Sequence, residues 1–299
     1  MVEKATQDPG GKDFKTHASF PSLKVLSMQN RKELEKQFHD GLRNGCYGQR
    51  WSPELEEVIQ SDPMWDNMKY YAIERKSREL VLNWLKREGK GKRVLDYCCG
   101  NGEDAFFTAK NGASHVLGID LSELSIENCR QRAKNLNLKN VSFGVMDAEA
   151  LDIENDSLDI ITEYGALHHL DLLKAYEEMA RVLTSQGKAI CVEALGHNKI
   201  IHLYRKRTPH LRTAWEVAHI LKKPDIYLAQ NYFHRVRVLG LFHLAALAAV
   251  PFRNSAVFYP LLRILEAVDA YFLLRLPGLK WWAWQVVFEL SEPIKTGLR

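Results

Sequence analysis

The rhythm of apolar and polar positions changes twice along the chain. Residues 23–42 show apolar positions at helical spacing, interrupted by Gly41, Gly45 and Gly48. Ser52-Pro53-Glu54 reads as a helix start, with Ser52 as N-cap and proline in the first turn, and Leu55, Val58 and Ile59 supply the apolar face. A further helix is predicted over 64–88, stopped by Gly89-Lys90-Gly91. Residues 1–22, polar and broken by Pro9-Gly10-Gly11 and Pro21, read as a loose leader, so 1–88 is expected to be a leader plus a helical cap. From 89 to 196 short apolar runs at 93–96, 114–120, 141–146, 158–162 and 187–192 alternate with helical patterns at 103–111, 123–136 and 172–183. That alternation predicts an α/β core, a Rossmann-like doubly wound and mostly parallel sheet with right-handed crossovers. After Glu193 the alternation fails. The reading there is a helix at 211–221, a strand at 232–238, apolar helices at 239–250 and 257–276, and a last strand at 281–290. Residues 197–299 are thus expected to form an apolar helical lid that also closes the sheet.

Charge sharpens this division. The chain carries 41 Lys/Arg and 37 Asp/Glu, but residues 1–196 hold 26 against 31 and residues 197–299 hold 15 against 6. A body of net −5 therefore carries a tail of net +9 that is also the most apolar third. Its longest uncharged apolar run, residues 238–250, is thirteen residues, short of the ~20 a spanning helix needs. The tail fits a bilayer surface or an amphiphilic ligand better than a membrane span. Five scattered cysteines, without zinc or disulfide spacing, and a start without an apolar leader point to a cytoplasmic protein.

The chemistry-bearing signal is Val94-Leu95-Asp96-Tyr97-Cys98-Cys99-Gly100-Asn101-Gly102, a strand running through a glycine turn into a helix. Asp120 ends the second predicted strand, where a carboxylate can accept both hydroxyl hydrogens of a ribose. Asp147 ends the third. Carboxylates at three adjacent strand ends suit a nucleoside with a cationic part. A dinucleotide would want the full G-x-G-x-x-G and less negative charge than Asp96 and Glu103-Asp104 bring to the turn.

With these motifs the chain, from about residue 70 to 193, resembles a class I S-adenosylmethionine-dependent methyltransferase of the small-molecule type. The resemblance implies that the Asp96–Gly102 loop, with Asp96, Cys98, Gly100 and Gly102, holds the methionine part of S-adenosylmethionine. It assigns Asp120 and the adjoining Leu121 to the ribose, and Asp147 with Ala148 to the adenine. Glu163 and Tyr164, with Gly165, would pass the reacting sulfonium. Cys98 departs from the family pattern, which usually has glycine there.

For the acceptor, His168 and His169 follow the fourth strand beside the expected methyl. In-line methyl transfer needs mainly positioning, plus a base when the nucleophile is a hydroxyl, and histidine suits that base. One of the two could equally pack or cap the following helix. The Asn or Asp with Pro-Pro-aromatic pattern of base amino methylation is replaced by Glu163-Tyr164-Gly165-Ala166, which argues against nucleic acid. Arg205, Arg207, His210 and Arg212 could bind an anionic group, and Tyr70 and His197 join them as candidate substrate contacts. A solvated basic face explains them equally well. Phe242, Phe258, Trp281 and Trp284 are either lid core or the wall of an apolar tunnel. The expectation is O-methylation of a hydrophobic, lipid-like acceptor with a histidine base, no metal, and an open oligomeric state. The alternatives are C-methylation of an isoprenoid, with a diphosphate held by the arginines, and a non-catalytic cofactor-binding module.

Overall fold

The structure is a computed structural model, and it describes residues 28–43 and 53–295. The expected leader and the Ser52 N-cap lie outside the described residues. Seven strands form one sheet in the order β3-β2-β1-β4-β5-β7-β6. The strands β1 (Arg93–Tyr97), β2 (His115–Asp120), β3 (Val141–Val145), β4 (Leu158–Tyr164) and β5 (Leu183–Ala194) are parallel, while β7 (Gln285–Pro293) runs antiparallel between β5 and β6 (Phe233–Phe242). The strands alternate between two cores. Val94, Ile160, Ile190 and Val287 face one side with Val81, Trp84 and Phe106. Leu95, Ile161, Cys191 and Phe288 face the other with Tyr176 and Met179. Burial on both faces is why these strands read as continuous apolar runs.

The crossover helices are α4 (Glu103–Lys110), α5 (Glu123–Asn135) and α6 (Leu172–Val182). Each of the last two starts on a side chain that the sequence supplies. Ser122 Oγ accepts from Ser125 N at 3.0 Å, and Asp171 accepts from Leu173 N at 3.2 Å. All the expected core strands and helices are present, with β5 starting four residues early at Leu183 and β4 extending to Tyr164. The cap and lid differ more. The single helix expected over 64–88 is a 3-10 segment, Pro63–Ile73, followed by α3 (Arg75–Glu88). The break falls at Glu74, whose carboxylate turns inward to accept from Gln285 Nε2 at 2.6 Å and from Tyr164 Oη. Tertiary bonding there outweighs helix propensity. The helix expected over 239–250 begins as strand: β6 continues to Phe242, paired through Leu241–Val286 and Phe242–Gln285 after a bulge. His243, at φ 66°, ends it. A short 3-10 segment, Ala246–Phe252, follows.

The cap also contains α1 (Met28–Arg43) and α2 (Pro53–Ser61), and the lid α7 (Lys199–Arg207), α8 (Ala214–His219), α9 (Lys223–Tyr227) and α10 (Phe258–Arg275). Gly41, expected to interrupt the first helix, lies inside α1. Helix α10 buries Phe258 and Leu262 against Ile73, Ala246, Ala249 and Val250. Each such side chain contributes about 1.5–3 kcal/mol by leaving water. Its outward stripe, Pro260, Ile264, Ala267, Tyr271 and Leu274, is exposed and equally apolar. No helix among the described residues is long and apolar enough to cross a membrane.

Candidate functional site

The carboxyl ends of the parallel strands open into a cavity of about 590 Å³, walled on one side by sheet-end loops and on the other by the cap and lid. This is the crevice where open α/β sheets bind ligands. On the sheet side it is lined by Cys98, Asn101, Asp120, Leu121, Asp147, Ala148 and Tyr164. The backbone fixes the two aspartates. Asp120 accepts from Gly100 N and Ser122 N, both at 2.9 Å, and Asp147 accepts from Glu149 N at 2.9 Å. Each carboxylate oxygen has a second acceptor direction to offer a ligand. Cys98 adopts φ 57°, the left-handed region that a glycine enters freely, which explains glycine as the usual residue at this turn.

Three residues expected at the cofactor stand off the cavity and serve the turn instead. The Asp96 carboxylate is buried and accepts from Ala105 N at 2.8 Å at the start of α4. Burial and the Asp104 charge push it well above the usual carboxylate range. Gly100 and Gly102 shape the backbone, at φ 51° and 72°. A Cβ on Gly102 would meet Phe106 and Phe143 at 3.0 Å. Glu163, also off the cavity, accepts from Ala166 N at 2.5 Å and Leu167 N at 3.3 Å. Burial and the facing Glu193 push its carboxyl well above the usual carboxylate range.

Helix α1 closes the outer edge. Lys32 Nζ lies 2.5 Å from Asp147 Oδ2 and 3.0 Å from Glu149, Arg31 pairs with Glu149, and Asp40 accepts from Ser122 Oγ.

His168 and His169 occupy a short 3-10 turn, Leu167–His169, directly after β4, and both line the cavity. Each imidazole has its own carboxylate. His168 Nδ1 lies 2.6 Å from Glu193 Oε2, and His169 Nδ1 lies 2.8 Å from Glu35 Oε2. Glu193 also takes Leu167 N at 2.6 Å, and Glu35 takes Thr213 Oγ1 at 2.5 Å. Burial pushes the His169 pKa down, but the bond and charge of Glu35 outweigh it and the pKa is raised above its usual value. The partner shifts match: burial raises Glu35, yet His169 holds it below the usual carboxylate range. Glu35, His39 and His169 offer atoms within 4.8 Å of one another, as do His168, His169 and Glu216. Hydrogen bonds already tie both histidines to carboxylates.

Beyond the histidines the wall is formed by Trp65, Tyr70, Tyr204, Arg205, Arg212, Ile220, Leu247 and Trp284. Asn198 Oδ1 starts α7 by accepting from Ile200 N and Ile201 N, which aims Tyr204 and Arg205 inward. Of the expected acceptor contacts, Tyr70, Arg205 and Arg212 reach the cavity; His197, Arg207 and His210 do not. His197 Nε2 instead accepts from Lys223 N at 2.8 Å, holding the start of α9. Arg207 and His210 are exposed, at the end of α7 and in the Pro209–Leu211 turn that follows. The sequence reading did not single out Glu35, Glu74 or Glu216. Only the Glu35–His39 spacing of four on one helix hinted at chemistry, because their partners come from distant parts of the chain.

A family model described as a methyltransferase domain matches residues 88–237, half of the chain. The chain belongs to this family, as a class I methyltransferase whose cofactor is S-adenosylmethionine. Among its relatives, the demethylmenaquinone methyltransferase of Lactococcus lactis is 34% identical over 158 residues, which is 50% of this chain and 63% of that protein. The Staphylococcus aureus protein of the same name is 36% identical over 107 residues, 35% of this chain and 44% of that one. The chain thus spans less than two thirds of the length of these curated relatives. Among solved structures, geranyl diphosphate C-methyltransferase from Streptomyces coelicolor A3(2) overlays with a TM-score of 0.57 at 14% identity, over 88% of this chain and 97% of that one. Haemonchus contortus phosphoethanolamine N-methyltransferase 2 gives 0.51 at 19%, over 73% and 53%. At such identities the likeness is one of fold.

Proposed function

We propose that this protein methylates a hydrophobic aromatic acceptor that carries a hydroxyl group, in the manner of a reduced quinone, and that His168 or His169 takes the hydroxyl proton. The observation that carries the reading is the pair of imidazoles, each hydrogen-bonded through Nδ1 to a buried carboxylate, on the cavity wall beside Asp120 and Asp147. A carboxylate on one ring nitrogen fixes the tautomer and strengthens the other nitrogen as a base. Asp120 would hold the ribose of the cofactor and Asp147 with Ala148 the adenine, while Cys98, Asn101 and Tyr164 border the methionine end. When bound, S-adenosylmethionine supplies an electrophilic methyl group. The residues of the chain then have three tasks: to align the acceptor, to exclude water, and to remove one proton.

An aromatic hydroxyl that loses its proton shares the charge with its ring carbons. The same base therefore serves methylation at oxygen, as the residues alone suggested, and at carbon. The relatives named for demethylmenaquinone favour carbon, and that is our reading. The test is incubation with labelled S-adenosylmethionine and a reduced, short-chain demethylmenaquinone, followed by NMR of the product. A methyl on a ring carbon is expected. An ether would restore oxygen as the acceptor, and no transfer to any hydroxylated aromatic would remove the reading.

We also infer that the outer face of α10 rests on an anionic lipid surface, from which such an acceptor would enter. Clustered exposed apolar side chains mark an interaction surface, and on α10 Ile264, Tyr271 and Leu274 are exposed beside the exposed cations Arg263 and Arg275. Basic residues near anionic lipid contribute about 1 kcal/mol each, and salt weakens them. Sedimentation with anionic vesicles should therefore be salt-sensitive and lost in Ile264→Glu/Leu274→Glu. Absence of binding at low salt contradicts it.

A further inference from the structure

The cavity wall holds a cation that the proton-removing machinery does not use. Arg205 is 4% exposed, and its one hydrogen bond among the described residues runs from Nη1 to the Leu195 carbonyl at 3.2 Å. Its other N–H groups meet no protein acceptor among the described residues. The remaining cations lining the cavity each have a carboxylate: Arg31 has Glu149, Lys32 has Asp147, Lys36 has Glu123 at 3.4 Å, and Arg212 has Glu216 at 3.5 Å. Arg212 is further tied to Thr208 and, at 2.8 Å, to Asn67 Oδ1. The two carboxylates whose charge reaches Arg205 are paired elsewhere, Glu193 with His168 and Glu216 with Arg212.

A guanidinium withdrawn from water without a carboxylate in direct contact is costly, and its planar fork suits an oxyanion. Burial, and then repulsion from Arg212, lower the Arg205 pKa to about 10. An anionic ligand would relieve both penalties. Tyr70, Tyr204 and Trp284 line the same cavity and supply aromatic surface beside the charge.

We propose that Arg205 is an acceptor-specificity residue that binds an oxyanion, a carboxylate or a phosphate, borne by the aromatic acceptor in addition to its reacting hydroxyl. This rests on the aromatic-acceptor reading above but is tested without turnover. Three probes share one ring system: 1-naphthol, 1-naphthoate and 1-naphthyl phosphate. Their binding to the protein saturated with S-adenosylhomocysteine is measured by calorimetry. Charge-assisted bonds predict that one of the anionic probes binds ten- to a hundred-fold tighter than 1-naphthol. Which of the two anions gains tells carboxylate from phosphate. Arg205→Met should abolish the preference while leaving 1-naphthol binding and the melting temperature in place, and Arg205→Lys should retain part of it. Equal binding of all three probes to the unaltered protein overturns the proposal. So does a preference that survives Arg205→Met. If Arg205→Met fails to fold, the three-probe comparison and Arg205→Lys still decide. Loss of turnover in the histidine variants bears on the base and leaves this result untouched.

Discussion

The two walls of the cavity are built differently. On the sheet side, Asp120 and Asp147 are set by backbone hydrogen bonds within two to twenty residues of themselves, at the ends of strands packed on both faces. On the far side, His169, Arg212 and Glu74 each take a partner far along the chain. Glu35 reaches His169 across 134 positions, Asn67 reaches Arg212 across 145, and Gln285 reaches Glu74 across 211. The first wall is fixed by local geometry and suits a ligand that stays the same. The second is assembled from separate elements, any of which can change without disturbing the sheet, and it suits an acceptor that differs between proteins.

The largest effect should come where the walls meet. Replacing His168 or His169 with Gln removes a base, and the variant lacking the one that acts should lose about a hundred- to ten-thousand-fold in kcat. Cofactor affinity, measured by calorimetry, should barely move in either. Near-normal turnover in both variants returns the histidines to packing. On the sheet wall the reverse pattern is expected. Asp120→Ala removes a charge-assisted hydrogen bond worth roughly 1.5–3 kcal/mol, about ten- to a hundred-fold in cofactor affinity. Unchanged affinity contradicts the ribose assignment.

A smaller effect separates the walls by stability. Burial pushes the Glu74 carboxyl, which links α3 to Tyr164 and β7, up to about 7. Because the folded pKa lies above the ordinary 4.5, the neutral group stabilises the fold fully at low pH. That contribution fades as pH rises from about 4.5 and is lost above about 7. Denaturation of Glu74→Gln and the unaltered protein should therefore converge or cross between pH 5 and 8, by up to about 3 kcal/mol. A gap that does not change with pH contradicts a neutral Glu74.

The same contrast explains what the residues alone could convey. The strand run 94–96, the glycine turn and Asp120 and Asp147 were legible because strand period, turn chemistry and site all lie within a few residues of one another. The paired strands β6 and β7 were half legible. An apolar run at 239–250 fits a helix as well as a strand until Val286 and Gln285 are known to lie beside it. Arg205 and Arg212 could be named as anion contacts, but only the fold separates them from exposed Arg207. The carboxylate partner of His169 was out of reach, since nothing near Glu35 announces a residue 134 positions away. The Cys98 departure was legible, and its cause is the positive φ that the turn imposes.

The central claim is that a carboxylate-bound imidazole removes the acceptor proton, and the pH dependence of kcat tests it most directly. His169 faces Glu35, Glu216, Glu193, His168 and His39, and Glu35 outweighs burial to raise its pKa. A base works unprotonated, so turnover should rise with pH along a limb centred above the usual histidine value of 6.5. In Glu35→Gln the raising charge is gone and burial remains, so the limb should move to lower pH. A limb that stays in place in Glu35→Gln and vanishes in His168→Gln would assign the base to the Glu193-bound histidine. A profile without an acidic limb in the unaltered protein, or one that neither substitution alters, would contradict the claim.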